Sequence, residues 1–119
     1  MTSPFTAAMT GQSLIHHDVP ASPDSGFHGI VQMLKTADVV FTNLETTVRG
    51  RRPCWPIKGP FFGCSDPFVL DVLKDTGFST LSLANNHAFD LGPGGVLSTL
   101  EDVEARGFLD GTSVTVPPR

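Results

Sequence analysis

Three short segments of this chain hold residue types that carry out metal or hydrolytic chemistry. Thr10-Gly11-Gln12 is followed closely by His16, His17 and Asp18. Asn43-Leu44-Glu45 closes a β-branched run, and Asn85-Asn86-His87 closes another, with Asp90 just after. Carboxylate, amide oxygen and imidazole are the donors that a hard or borderline divalent cation takes. A histidine among them is a ready proton donor or acceptor. Each segment also has an ordinary structural reading. Asn-Asn is a common turn or helix N-cap, a lone histidine is more often a packed surface residue, and a glutamate after a strand is more often a solvated loop charge. His16 and His17 are neighbours, so on an extended segment at most one of them faces a given site. The co-occurrence at three strand ends is what points to a site.

The elements that must position these residues are read from apolar patterning. Phe5 to Met9, Val39 to Phe41 and Phe78 to Leu83 are β-rich and mostly not alternating, as in strands of a parallel sheet covered on both faces. Asp24 or Ser25 heads a helix whose stripe is Phe27, Ile30, Val31 and Leu34. Ser65 or Asp66 heads a second, with Pro67 in its first turn and Phe68, Val69, Val72 and Leu73 on its stripe; Gly77 ends it in a left-handed cap. A third carries Val96, Leu100 and Val103 and stops at Gly107. The predicted helices lie near residues 25–35, 66–76 and 94–106. This order predicts right-handed βαβ crossovers in an α/β fold with a mainly parallel sheet. Sites in such sheets form beyond the carboxyl ends of the strands, so Glu45, Asn86 and His87 are expected together at one end.

Thr46 to Cys64 holds Pro53, Pro56, Pro60, Gly50, Gly59 and Gly63 and reads as a long irregular loop of the kind that is often functional. Trp55, Phe61 and Phe62 either line a cleft there or pin the loop. Arg49, Arg51 and Arg52 with Lys58 form the one basic cluster, solvated or anion-contacting. Cys54 and Cys64 are too few for a zinc site or a disulfide framework; sharing one loop they are able to pair, but free thiols in a reducing cytoplasm are the expectation. Ser113 to Val116 reads as a possible strand.

With 119 residues and 12.7 kDa the chain makes one small domain. Apolar residues at 39% and charged residues at 17% exclude a disordered charged chain. A net charge of −4 and a pI near 5.3 argue against nucleic-acid binding by bulk charge. No run approaches the roughly 18–20 apolar residues of a membrane span. The first ten residues, MTSPFTAAMT, lack a basic start and an apolar core, so no signal peptide is visible and a cytoplasmic location is expected.

Val39 to Glu45, Pro56-Ile57-Lys58-Gly59-Pro60, and Gly77-Phe78 with Ser82 to Gly92 resemble the CapA family of poly-gamma-glutamate capsule biosynthesis proteins, related to calcineurin-like metallophosphoesterases. The resemblance runs from about residue 5 to 111 and is most specific from Leu83 to Gly92. It implies the N-terminal portion, residues 1–119, of a metallophosphatase-like α/β/β/α sandwich with a two-metal site for divalent cations. Glu45 and Asn86 would be metal ligands, and His87 would help to protonate the leaving group. The family's first strand commonly ends in Gly-Asp; here Gly11-Gln12 offers only a neutral oxygen, and Gln12, or His16, His17 or Asp18 in its stead, would take the aspartate's place. No histidine follows His87, whereas the family draws further histidine ligands from its C-terminal half, so the chain reads as a truncated form whose own catalysis is left open. The implied partner is an anionic polymer or phosphate ester. A non-catalytic module completed by a partner chain, and a generic phosphoesterase fragment, are the alternatives. Half of a two-sheet fold would leave sheet uncovered, with self-association expected through Phe41, Leu81 or Leu83.

Overall fold

Val39-Val40-Phe41-Thr42 is a run of β-branched and aromatic residues that suits a strand packed between two others. In the computed structural model, which describes residues 2–15, 25–57 and 63–110, it opens the central strand β2 (Val39–Leu44) of a three-stranded sheet. β1 (Ala7–Ser13) pairs with one side of it and β5 (Thr80–Ser82) with the other, both parallel. Leu109 bridges Thr80 in parallel at the outer side of β5. Helix α1 (Ser25–Lys35) lies between β1 and β2 in the chain, α2 (Phe68–Thr76) precedes β5, and α3 (Gly92–Ala105) follows it. The predicted α/β fold, parallel sheet and three helices are therefore present.

The two faces of the sheet differ. Val40, Thr42 and Leu44 of β2 and Leu81 of β5 are almost fully buried. The apolar ones among them join Leu34 of α1, Val69, Leu70 and Leu73 of α2, Val103 of α3 and Phe108 in one core. The opposite face carries Met9, Phe41, Thr80 and Leu109 in one row, each in register with the next. Met9 is 78% exposed and Leu109 60%. Among the described residues the helices thus cover one face only, so β2 alternates buried and half-buried positions instead of being covered on both faces. Phe41 lies on the open face as expected. Leu81 does not: it is in register with Thr42 and so points into the core. Leu83 is half-buried against that same core.

Other local expectations are corrected by competing partners. Asp66 does not cap α2, because Arg49 holds its carboxylate at 2.9 Å. Ser65 does not cap it either: its hydroxyl shares a 2.8 Å bond with that of Thr46 and donates to the Ile15 carbonyl. The helix starts at Pro67 without a side-chain cap, and ends as predicted at Gly77, whose φ of 113° only glycine adopts without strain. The stripe of α1 is narrower than its pattern: Leu34 is buried, but Ile30 is 56% exposed. Asp24 lies outside the described residues, as do His16, His17, Asp18, Lys58, Phe61, Phe62 and Ser113 to Val116.

The stretch from Thr46 to Cys64 is not irregular throughout. β3 (Thr47–Val48) pairs in parallel with β4 (Cys64–Ser65). Val48 is fully buried, and its amide donates to the Thr99 hydroxyl of α3 at 2.9 Å. Arg52 pairs with Glu101 of α3, and Arg51 lies 3.9 Å from the same carboxylate. The three arginines of the basic cluster therefore each face an acid. These pairs tie the loop to α3 and to Asp66 ahead of α2. Trp55 is 61% exposed. No described helix is long and apolar enough to cross a membrane.

Candidate functional site

The site is built from the carboxyl ends of three parallel strands. β1 reaches it through a bulge. Met9 stands opposite Phe41, but the next paired residue is Gln12, opposite Asn43. Thr10 and Gly11 together therefore face Thr42. The buried Thr42 hydroxyl donates to the Gly11 carbonyl at 2.8 Å and accepts from the Ser13 hydroxyl at 2.7 Å, while Thr10 donates to the Phe41 carbonyl at 3.2 Å. A bulge shifts the face of everything after it. Here it moves Gln12, instead of Gly11, opposite Asn43, which is itself opposite Ser82 of β5. Gln12, Asn43 and Ser82 form a polar row on the open face, one step beyond the apolar row through Phe41.

The loops leaving the strands are joined by one hydrogen-bonded chain. The Glu45 amide donates to the Ser13 carbonyl at 3.0 Å, which holds the end of β1 against the residue after β2. Asn43 Nδ2 donates to a Glu45 carboxylate oxygen. Asn85 Nδ2 donates to Asn43 Oδ1 at 3.1 Å and to the Leu44 carbonyl at 2.8 Å, and Asn85 Oδ1 accepts the His87 amide at 3.0 Å. The Glu45 and Asn85-Asn86-His87 segments are thus brought to the same end of the sheet. Glu45 and His87 are half-buried; Gln12 and Asn86 are exposed. The two asparagines of the motif occupy different settings: Asn85 ties the loops together, and Asn86 faces solvent.

His87 has a partner behind it. Its Nδ1 lies 2.6 Å from Asp90 Oδ2; the histidine side chain is 22% exposed and that of the aspartate 2%. Thr47 donates to the His87 carbonyl. Gly63, buried before β4, packs so close that a Cβ there would come within 2.7 Å of both His87 Cβ and Asp90 Oδ2. The small ribbon of β3 and β4 therefore backs the His87–Asp90 pair. Asn43 and Asn85 stand in the strand-end segments read from sequence but were given no role of their own there, and Gly63 and Thr47 were not singled out as site residues. The available signal was position: Asn43 is two residues before Glu45, and Asn85 directly precedes the candidate ligand.

The donor set decides what could be held here. Gln12, Glu45 and Asn86 offer hard oxygen donors suited to a divalent cation. Glu45 is the one carboxylate among them, and Asn43 already donates to it. Among the described residues there is no group of three or more histidine, cysteine, aspartate or glutamate side chains close enough to bind a metal ion. The fit is partial: one carboxylate and two amide oxygens are too few for the shell of a divalent cation, and further ligands would have to come from elsewhere. Cys54 and Cys64 are free thiols, and burial pushes the Cys64 thiol above its ordinary value. On the helix side of the same strand ends lies a mostly apolar cavity of about 430 Å³, lined by Thr46, Leu83, Ala88, Val96, Leu100 and Asp110 among others.

Residues 6–110 match the sequence profile of the bacterial capsule synthesis protein PGA_cap, which takes in every described strand and helix of the fold. The chain belongs to this family. It is also similar to the Uncharacterized protein y4sH and the Uncharacterized protein y4uA of Sinorhizobium fredii (strain NBRC 101917 / NGR234). Each is 29% identical over 109 residues, covering 88% of this chain and 24% of the relative. The chain spans about a quarter of the length of these curated relatives. The PGA_cap match accords with the resemblance read from the Leu83–Gly92 segment.

Proposed function

We propose that the chain supplies the N-terminal, strand-end part of a phosphatase-like site in a capsule synthesis protein, acting on a phosphate ester or an anionic polymer such as poly-gamma-glutamate. The observation that supports this reading is the chain of hydrogen bonds from Glu45 through Asn43 and Asn85 to the His87 backbone amide, which ties the Glu45 and His87 segments together at one strand-end edge. Glu45, Asn86 and Gln12 would hold a divalent cation together with ligands from outside the described residues. A bound cation there would supply charge stabilisation for a phosphoryl group. His87, at the half-buried edge of the site, would give a proton to a leaving oxygen. The uncovered row of Met9, Phe41 and Leu109 favours a second reading, in which this half is a binding module completed by another sheet.

Titration of the chain with Mn²⁺ tests the first reading. Weak binding is expected, lost in Glu45→Gln and reduced in Asn86→Ala, because Glu45 carries the one formal charge of the donor set. His87→Ala should bind as wild type does. In a longer form that turns over phosphate esters, His87→Ala should slow an alkyl phosphate far more than an aryl phosphate, whose leaving group needs less protonation. Mn²⁺ binding that is unchanged in Glu45→Gln would overturn the assignment.

A further inference from the structure

We propose that the cavity on the helix side of the strand ends is a binding site for a small, uncharged, apolar molecule of aryl or branched-alkyl character. Its volume of about 430 Å³ lies within the roughly 300–1,000 Å³ of ordinary ligand sites and well above the roughly 150 Å³ at which an apolar cavity takes up benzene. Part of the α3 stripe faces it. Val103 of that stripe is fully buried in the core, but Val96 and Leu100, one turn apart, are half-buried, stand outside the core cluster and line the cavity. The apolar face of a helix ordinarily packs against a neighbour; this half of it borders open space.

The chemistry of the wall sets the ligand class. The threonine hydroxyls in it are already engaged. Thr46 donates to the Gly63 carbonyl at 2.7 Å and shares a 2.8 Å bond with Ser65; Thr99 donates to the Gly95 carbonyl at 2.8 Å and accepts the Val48 amide at 2.9 Å. No lysine, arginine or histidine is among the lining residues, so an anion would enter without a partner, which costs far more than apolar contact returns. The position matters as well. Thr46 follows Glu45, Ala84 precedes Asn85 and Ala88 follows His87, and all three line the cavity. A ligand there touches the loops that leave β2 and β5. Gln12, Glu45, Asn86 and His87 themselves are not in the wall, so this site stands apart from the cation assignment.

The test is titration of the full chain with 1-naphthol, followed by its fluorescence and by intermolecular NOEs to ¹³C-labelled alanine, leucine, valine and methionine methyls. Saturable binding is expected, with NOEs to Ala88, Val96 and Leu100. 1-Naphthoate, the same ring with a carboxylate, should bind at least about tenfold more weakly. Ala88→Leu fills the cavity and should weaken 1-naphthol binding by at least about tenfold in a chain whose urea unfolding remains cooperative; Val96→Phe fills it from α3 and replaces Ala88→Leu if that variant does not fold. Wild type decides without either variant. Absence of saturable binding, as when a second copy or another part of the chain already fills the space, overturns the proposal. So do NOEs to Met9 and Leu109 of the open sheet face in place of the cavity methyls, and equal affinity for 1-naphthoate overturns the ligand class. Neither metal nor phosphate enters the readout, so failure of this site and failure of the cation assignment are separately visible.

Discussion

Asn85 and Asn86 are adjacent, chemically identical and set in opposite roles, which makes their substitution a sharp test of the site's architecture. Asn85 uses its whole amide: Nδ2 donates to the Leu44 carbonyl at 2.8 Å and to Asn43 Oδ1 at 3.1 Å, and Oδ1 accepts from the His87 amide at 3.0 Å. Asn85→Ala removes all three. At about 0.5–1.5 kcal/mol for each such hydrogen bond, the expected loss is roughly 1.5–4.5 kcal/mol. Asn85→Asp keeps the size and the acceptor facing His87, but turns two donors into a carboxylate oxygen facing two other oxygens. It should lose about as much at neutral pH, because the single strengthened bond to His87 offsets only part of the damage.

Urea unfolding measures the loss directly. With a slope of about 2 kcal/mol per molar, a change of this size moves the midpoint by roughly 1–2 M. The pH dependence separates the two variants. Folding raises the introduced carboxyl above its unfolded value, since only the protonated form donates. The Asn85→Asp form is therefore destabilised most above that raised value and recovers as pH falls through it. Asn85→Ala has no such recovery. Asn86→Ala, at an exposed position, should cost less than Asn85→Ala. Equal midpoint shifts at the two positions, or none at Asn85, would refute the division of roles.

Two further outcomes are expected. The Arg106 guanidinium holds the Asp71 carboxyl below its ordinary value, and Arg52 does the same for Glu101. The stability these exposed pairs add is present above the unfolded carboxyl values and is lost as pH falls through the lower folded ones, so Asp71→Asn should flatten the acid limb of a stability–pH curve, as should added salt. The open sheet face should drive self-association of the chain. Sedimentation at graded concentrations should show a concentration-dependent mass that falls to the monomer in the Met9→Lys, Leu109→Lys double variant, and a wild-type monomer at all concentrations would contradict it.

The architecture was readable where a strong pattern met little competition. The parallel order follows from alternating strand-like runs and helical stripes, and Gly77 marks the end of α2 because a left-handed residue there has few alternatives. The pattern misled where a residue had two possible partners. Ser65 and Asp66 look like N-caps, yet Thr46 and Arg49 reach them first. Leu81 and Phe41 are both apolar strand residues, and only the register with β2 puts one in the core and the other on the open face. The pairing of Thr47–Val48 with Cys64–Ser65 is two residues long on each side, too short to leave any periodicity.

The site was readable as a set of residue types at strand ends, and its internal wiring was not. The strand-like run read from sequence stops at Met9, which leaves Gly11 beyond its end. It is instead part of a bulge inside that strand, held open by the hydroxyl of Thr42, a residue with no evident chemistry of its own. The bulge is what aligns Gln12 with Asn43 and Ser82. Without the extra residue, Gly11 would stand in that row, and the first strand would contribute no side chain to it. The Gly-Gln dipeptide and Thr42 therefore act as one device, although 31 positions separate Gly11 from its partner. Such long-range hydrogen bonds carry no local signature, so a residue's place in the site depends on partners that the adjacent sequence does not name. By the same logic Thr42→Val should disturb the Gln12 row while leaving the core packing of β2 intact, since the substitution keeps the shape of the buried side chain and deletes its two bonds to β1, the one to the Gly11 carbonyl and the one from the Ser13 hydroxyl.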